Sequence, residues 1–225
     1  MIVSRVLLLL AALTCLQALA QETSVRPGIN RAYTDADYAR WQTVFETEGR
    51  EVFAHRDAIV DALDIRPGMV IADVGAGTGA FSLALAARTG SRGRVIAQDI
   101  SPEFLRGIAV RASRENLPQL QTLLGSDKAS GLASGSVDLI FTCDTYHHFE
   151  YPQAMLASLF AALRPGGRLV VIDYERIPGR SSLWVLGHVR AGRETVTGEI
   201  AAAGFRPLRS HSLLQENYFL EFLRP

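Results

Sequence analysis

The stretch from residue 69 to residue 86 constrains the fold more than any other. An apolar run, Met69-Val70-Ile71-Ala72, leads into Asp73-Val74-Gly75-Ala76-Gly77-Thr78-Gly79 and then into Ala80-Phe81-Ser82-Leu83-Ala84-Leu85-Ala86. This pattern predicts a buried strand that turns sharply into a helix, with glycine where the backbone takes positive φ or lets a ligand approach. Gly75, Gly77 and Ala80 satisfy the dinucleotide spacing G-x-G-x-x-G/A, so the glycines alone admit several nucleoside ligands. Asp73 discriminates better, because a carboxylate at the carboxyl end of the strand repels a pyrophosphate and attracts a ligand that carries an ammonium group.

Strand and helix patterns alternate from there. Strands are expected over residues 69–73, 93–99, 119–124, 137–143 and 168–173, and helices over 78–89, 102–115 and 153–163. Alternation of this kind predicts a doubly wound α/β fold with a parallel sheet covered on both faces. Residues 182–203 read as one helix, followed by two strands, 205–210 and 216–223, close enough to pair as an antiparallel hairpin. The expectation is a mostly parallel seven-stranded sheet ending in an antiparallel strand.

The ends divide the chain further. Arg5, an apolar core over residues 6–13 and Ala18-Leu19-Ala20 match a cleavable secretory signal over residues 1–20, which predicts a periplasmic or secreted protein. Membrane association is expected only if that leader is retained as a tether. Residues 21–33 are polar and read as a linker, and residues 34–66 as a helical cap. In the cap, Thr34-Asp35-Ala36-Asp37 precedes a helix with Tyr38, Trp41 and Phe45 on one face; a second helix is expected over residues 51–63. Residues 67–225 form the main domain.

Lys plus Arg and Asp plus Glu both number 23, and no basic stripe is present to neutralise a phosphate backbone, which argues against a nucleic-acid partner. Cys143 is the one cysteine beyond the leader, so no disulfide is expected within the mature chain.

The strand–glycine–helix segment resembles the first motif of class I S-adenosylmethionine-dependent methyltransferases, and the likeness extends over roughly residues 52–223. Ala162-Leu163-Arg164-Pro165-Gly166-Gly167-Arg168-Leu169 resembles the helix-stop turn before the family's fifth strand. The resemblance implies a Rossmann-like methyltransferase fold, S-adenosylmethionine as cofactor and methyl transfer to a small molecule. It places Asp73, Gly75, Ala76, Gly77 and Gly79 around the methionine part of the cofactor. Asp99, with Ile100 after it, ends the second strand and is expected to accept the ribose hydroxyls. Ser126 and Asp127 follow the third strand, where the family sets an acid beside the adenine amino group, and Cys143 ends the fourth strand on the cofactor side.

Methyl transfer is an in-line displacement at an activated carbon, so the protein chiefly positions the acceptor and excludes water. A histidine suits the removal of an acceptor proton. Tyr146, His147 and His148 follow the fourth strand, beyond the carboxyl end of the sheet where ligands of open α/β sheets lie. His147 is expected as base or acceptor-orienting group with His148 as the alternative, on the ground that adjacent residues do not both face one pocket; two histidines that merely fix the loop are the bland alternative. No metal is expected. The metal arrangement weighed against this uses Asp144, His147 and His148, which offer no clear three-ligand face. Asp173, Tyr174, Glu175, His188, Arg190, Glu216, Asn217 and Tyr218 are further residues within reach of the acceptor. The competing functions are a non-catalytic adenosyl-ligand binding protein and an NAD-dependent oxidoreductase.

Overall fold

The computed structural model describes residues 23–225. The expected signal peptide lies outside the described residues. Among them, no helix is long and apolar enough to cross a membrane.

The cap begins with α1 (Tyr38–Phe45), whose first turn is held by the Asp37 carboxylate accepting from the Arg40 amide at 3.1 Å. The single helix expected over residues 51–63 is broken at His55 into α2 (Glu51–Ala54) and α3 (Arg56–Ala62). Strands and helices then alternate as β1 (Val70–Val74), α4 (Ala80–Thr89), β2 (Arg94–Asp99), α5 (Pro102–Arg114), β3 (Leu120–Leu124) and β4 (Val137–Cys143). A 3-10 turn (Tyr146–His148) leads to α6 (Pro152–Ala162), β5 (Leu163–Tyr174), α7 (Leu183–His188), α8 (Arg193–Ala202), β6 (Arg206–His211) and β7 (Asn217–Leu223).

The seven strands lie in the order β3-β2-β1-β4-β5-β7-β6. Strands β1 to β5 pair in parallel, whereas β7 runs antiparallel to both β5 and β6. Alternate residues of the central strands divide between two cores. Ala72, Ile140, Leu169 and Val171 pack with α6 and α8; Ile71, Phe141, Val170 and Ile172 pack with α3, α4 and α5. Burial on both faces explains why these strands read as continuous apolar runs. The order reverses between β1 and β4, and that switch point is where open α/β sheets leave a crevice beyond the strand ends.

Two local expectations are corrected. The proline-glycine segment before β5 stays in the strand and forms an irregularity instead of a separate turn: Val137 pairs with Leu163, yet Leu139 pairs with Arg168. Gly166 takes φ +77° there, and its amide donates to the Arg224 carbonyl at 2.8 Å. The long helix expected over residues 182–203 is interrupted after His188: Val189 caps α7 in an extended conformation, the Arg176 guanidinium donates to the Leu186 and Val189 carbonyls, and Gly192 opens α8. Residues 24–30, part of the expected linker, are fastened to the main domain. Ser24 Oγ donates to Glu150 Oε2 at 2.7 Å, Asn30 Nδ2 to the His148 carbonyl at 3.0 Å, and the Arg26 guanidinium to the Gly187 carbonyl at 2.7 Å.

Candidate active site

A cavity of about 530 Å³ opens at the switch point, bounded by the ends of β1, β2, β4 and β5, by the cap helices and by α7. That volume lies within the ~300–1,000 Å³ typical of small-ligand sites. Asp73, Gly75, Ala76, Gly77, Asp99, Ile100, Ser126, Asp127 and Cys143 line one half of it. His147, His148, Tyr174, Trp184 and His188 line the other, and Tyr33, Trp41 and Phe45 form an aromatic wall from the cap.

The turn after β1 is made rigid by its own amides. The Gly75 and Ala76 N–H groups both donate to the Gln98 carbonyl, at 2.9 and 3.0 Å, and the Gly77 N–H donates to Asp99 Oδ2 at 2.9 Å. Consumed in this way, those amides do not form the cradle of free donors that a pyrophosphate requires. Gly75, at φ +74°, also sits against the loop after β4: a Cβ there would come within 2.1 Å of Thr145 Cγ2. Gly79 lies apart from the cavity lining. It opens α4 at φ +85°, and a Cβ would meet Ile108 Cγ1 at 2.7 Å, so its role is close helix packing.

The acids of this half are unusually placed for carboxylates. Asp73 is buried and accepts from Ser82 Oγ at 2.5 Å; desolvation raises its pKa to about 7, with Ser82 opposing that shift. Asp99 is buried too, and desolvation raises it to about 6 against hydrogen bonds from Ser101 and Gly77. A cationic ligand group facing Asp73 would restore the ionised form, which is the complementarity an amino-acid ammonium offers. Burial also holds the Cys143 thiol well above its ordinary range, so it stands here as a neutral apolar wall.

The 3-10 turn gives the two adjacent histidines a common direction. Their rings are 4.2 Å apart, and both line the cavity, contrary to the expectation that only one does. The difference arises because successive residues of this tight turn fan their side chains, whereas an extended loop would oppose them. His147 is buried, and its Nδ1 bonds Asp173 Oδ1 at 2.7 Å. His148 packs edge-on against Tyr33 at 5.2 Å, and its Nδ1 is buried without a hydrogen-bond partner. Burial drives His148 far below the ordinary imidazole range and lowers His188 as well.

Tyr146 is corrected: it leaves the cavity. Its ring is buried in the core beneath β4, and its hydroxyl donates to Glu199 Oε2 at 2.7 Å, while Arg190 holds the same carboxylate. Burial and the Glu199 charge push its pKa up, so the phenol is a structural donor. Asp144 is also committed elsewhere. It takes φ +50°, accepts from Arg50 at 2.5 Å and from Asn217 at 2.6 Å, and so ties the cap to β7. Glu175 pairs with Arg193, leaving Tyr174 as the residue at the end of β5 that faces the cavity.

Comparison with known proteins follows the same lines. A methyltransferase domain family model matches residues 72–171. Nocamycin O-methyltransferase from Saccharothrix syringae is 29% identical over 171 residues, 74% of this chain and 60% of that protein. A solved S-adenosylmethionine-dependent methyltransferase from Aquifex aeolicus superposes with TM-score 0.75 at 20% identity, over 85% of this chain and 100% of that one. A structure described as a possible exported protein from Bordetella parapertussis superposes with TM-score 0.66 at 17% identity, over 88% and 85% of the two chains. The chain spans between 34% and 60% of the length of the first curated relatives it matches. The glycine turn with its amides turned inward, the acids at the ends of β1 and β2, the reversed last strand and these likenesses agree: residues 72–171 match the methyltransferase domain family, and the fold is that of the S-adenosylmethionine-dependent methyltransferases, whose cofactor is S-adenosylmethionine.

Proposed function

We propose that the protein transfers a methyl group from S-adenosylmethionine to a small-molecule acceptor, and that it does so outside the cytoplasm. The observation that carries this reading is the continuity of the cavity, which runs without a partition from the acids of β1 and β2 to the histidines after β4. Asp73 would hold the ammonium, Asp99 the ribose hydroxyls, and Ser126 and Asp127 the adenine end. When bound, S-adenosylmethionine supplies a methyl carbon activated by the sulfonium. The protein's part is to align the acceptor with that carbon, exclude water behind Trp41 and Phe45, and accept a proton. His147 is suited to the last task. Its Nδ1–H is held by Asp173, which fixes the tautomer that leaves Nε2 with a lone pair and stabilises the ring if it becomes charged. Tyr174, His148 and Trp184 would orient the acceptor.

Export rests on the leader over residues 1–20 and on the description of the Bordetella parapertussis structure as a possible exported protein. Calorimetry of the purified chain with S-adenosylmethionine, S-adenosylhomocysteine and NAD tests the cofactor. Binding of the first two with release of S-adenosylhomocysteine across an acceptor panel is the expected result, and binding of NAD alone would refute the reading. Cell fractionation with a leader-deleted control tests the location.

A further inference from the structure

Three imidazoles from two distant segments converge on the acceptor half of the cavity. His147 and His148 come from the 3-10 turn after β4, and His188 from the last residue of α7. One ligand nitrogen from each can be chosen so that all three lie within 4.8 Å of one another. The His188 ring centroid is 5.2 Å from both of the others, so the cluster is a triangle and not a row.

Each ring is braced from outside the triangle. Asp173 takes the Nδ1 of His147, Tyr33 packs edge-on against His148, and Trp184 stacks on His188 at 4.6 Å with the planes 18° apart. No carboxylate belongs to the triangle itself. Its members therefore offer lone pairs and N–H groups to one another, and the buried Nδ1 of His148 has no partner at all. A buried polar nitrogen left unsatisfied costs on the order of 1–3 kcal/mol, and such a cost is expected where a ligand belongs.

We propose that His147, His148 and His188 form a binding site for one divalent transition-metal ion of the zinc(II) type, with a coordination position left open toward the acceptor. Three nitrogen donors suit zinc and its neighbours and disfavour magnesium and calcium, which require oxygen. Asp173 behind His147 supplies the carboxylate–histidine–metal relay that orients a ligating imidazole and raises its donor strength. Ligand nitrogens around a tetrahedral zinc stand about 3.3 Å apart, so the rings close by roughly 1.5 Å or less on binding. Three protein ligands with a fourth position free is the pattern of a catalytic site and not of a structural one.

The use of that open position rests on the methyltransferase reading; the ion's presence does not. An acceptor hydroxyl, thiol or amine bound there loses its proton to solvent more readily, because the cation stabilises the resulting lone pair. The acceptor–methyl bond then forms as the sulfonium–methyl bond breaks, giving S-adenosylhomocysteine and the methylated product. With the ion in place His147 is a ligand, and the ion replaces it as the means of deprotonation.

The test uses the whole purified chain, stripped with a chelator and titrated with zinc(II) against a competing chelator, with cobalt(II) as the optical probe. One equivalent of zinc bound with sub-micromolar affinity, and a cobalt spectrum of nitrogen ligation, are expected. His188→Ala should weaken zinc at least tenfold with affinity for S-adenosylmethionine unchanged, which shows that the variant folds; Asp173→Asn should weaken zinc by about tenfold. Absence of stoichiometric zinc, or zinc binding as tight as the wild type's in both His188→Ala and His148→Ala, would overturn the site. Full turnover by the stripped enzyme would overturn its catalytic use, leaving His147 as the base. Failure of S-adenosylmethionine to bind the zinc-loaded wild type would instead count against the methyltransferase reading alone.

Discussion

One carboxylate governs both the backbone and the ring of His147. Asp173 Oδ2 accepts the His147 amide at 2.9 Å and Oδ1 accepts its Nδ1 at 2.7 Å, so the position of the imidazole is fixed twice by a residue on the neighbouring strand.

His147→Ala should therefore lower turnover by about a hundredfold or more, the usual worth of a positioned proton acceptor, with affinity for S-adenosylmethionine retained. Asp173→Asn acts through the ring and should lower kcat with little change in KM. Steady-state kinetics together with calorimetry on the same samples separate these outcomes. Loss of the melting transition in His147→Ala would assign the residue to structure.

Asp73 makes stability and cofactor affinity respond oppositely to pH. Its pKa is raised from 3.8 to about 7 in the folded protein, so the folded state holds a proton that the unfolded chain has lost across that interval. Stability of the ligand-free protein should fall as pH rises from about 4 to about 7, with Asp99 adding to the same slope up to about pH 6. Affinity for S-adenosylmethionine should strengthen through neutral pH as Asp73 ionises opposite the ammonium. Asp73→Asn is expected to flatten the stability profile and weaken the cofactor at least tenfold, about 1.4 kcal/mol, in thermal melts and calorimetry. Unaltered affinity would remove Asp73 from the ammonium site.

The sheet was legible because its evidence is local: apolar runs of strand length, each ended by a charged or glycine-rich boundary, place β1 to β5 within a residue or two, apart from the early start of β5. The cavity wall that carries the acids was visible for the same reason, since Asp73 lies in β1, Asp99 ends β2 and Asp127 follows β3 by three residues. The acceptor half was not. His188 was expected within reach of the acceptor, but its convergence with His147 and His148 was not, and Tyr146 leaves because a 3-10 turn sends its ring into the core toward Glu199. Neither event has a signature within a few residues. Arg50 was missed likewise, its partner Asp144 lying 94 positions away.

Gly75→Ala should be costly on two counts. The residue holds φ +74°, and the added methyl would meet Thr145. A loss of about 1–3 kcal/mol is expected in denaturant melts. Adding Thr145→Ala should recover part of it by removing Cγ2 and Oγ1 from the contact, while the backbone strain remains. No recovery would place the whole cost in φ.

Arg50→Ala should strand Asp144 in the cavity wall without its cation. The carboxylate is 7% exposed and desolvation already raises its pKa, opposed chiefly by Arg50. Removing one partner of such a pair costs about 3–5 kcal/mol. Residues 34–66 should become protease-sensitive before the sheet unfolds, and Asp144→Asn in the same chain should restore much of the loss, as read by limited proteolysis.

The fastening of residues 24–30 has a consequence for the order of assembly. Those residues leave the ribosome early, yet their partners at Glu150, His148 and Gly187 follow 118 to 161 positions later. The amides of the glycine turn, by contrast, close onto Gln98 and Asp99 of β2, the next strand in the chain. Closing a long loop is the slower event. Residues 24–30 thus dock after the glycine turn has formed, although they precede it in the chain.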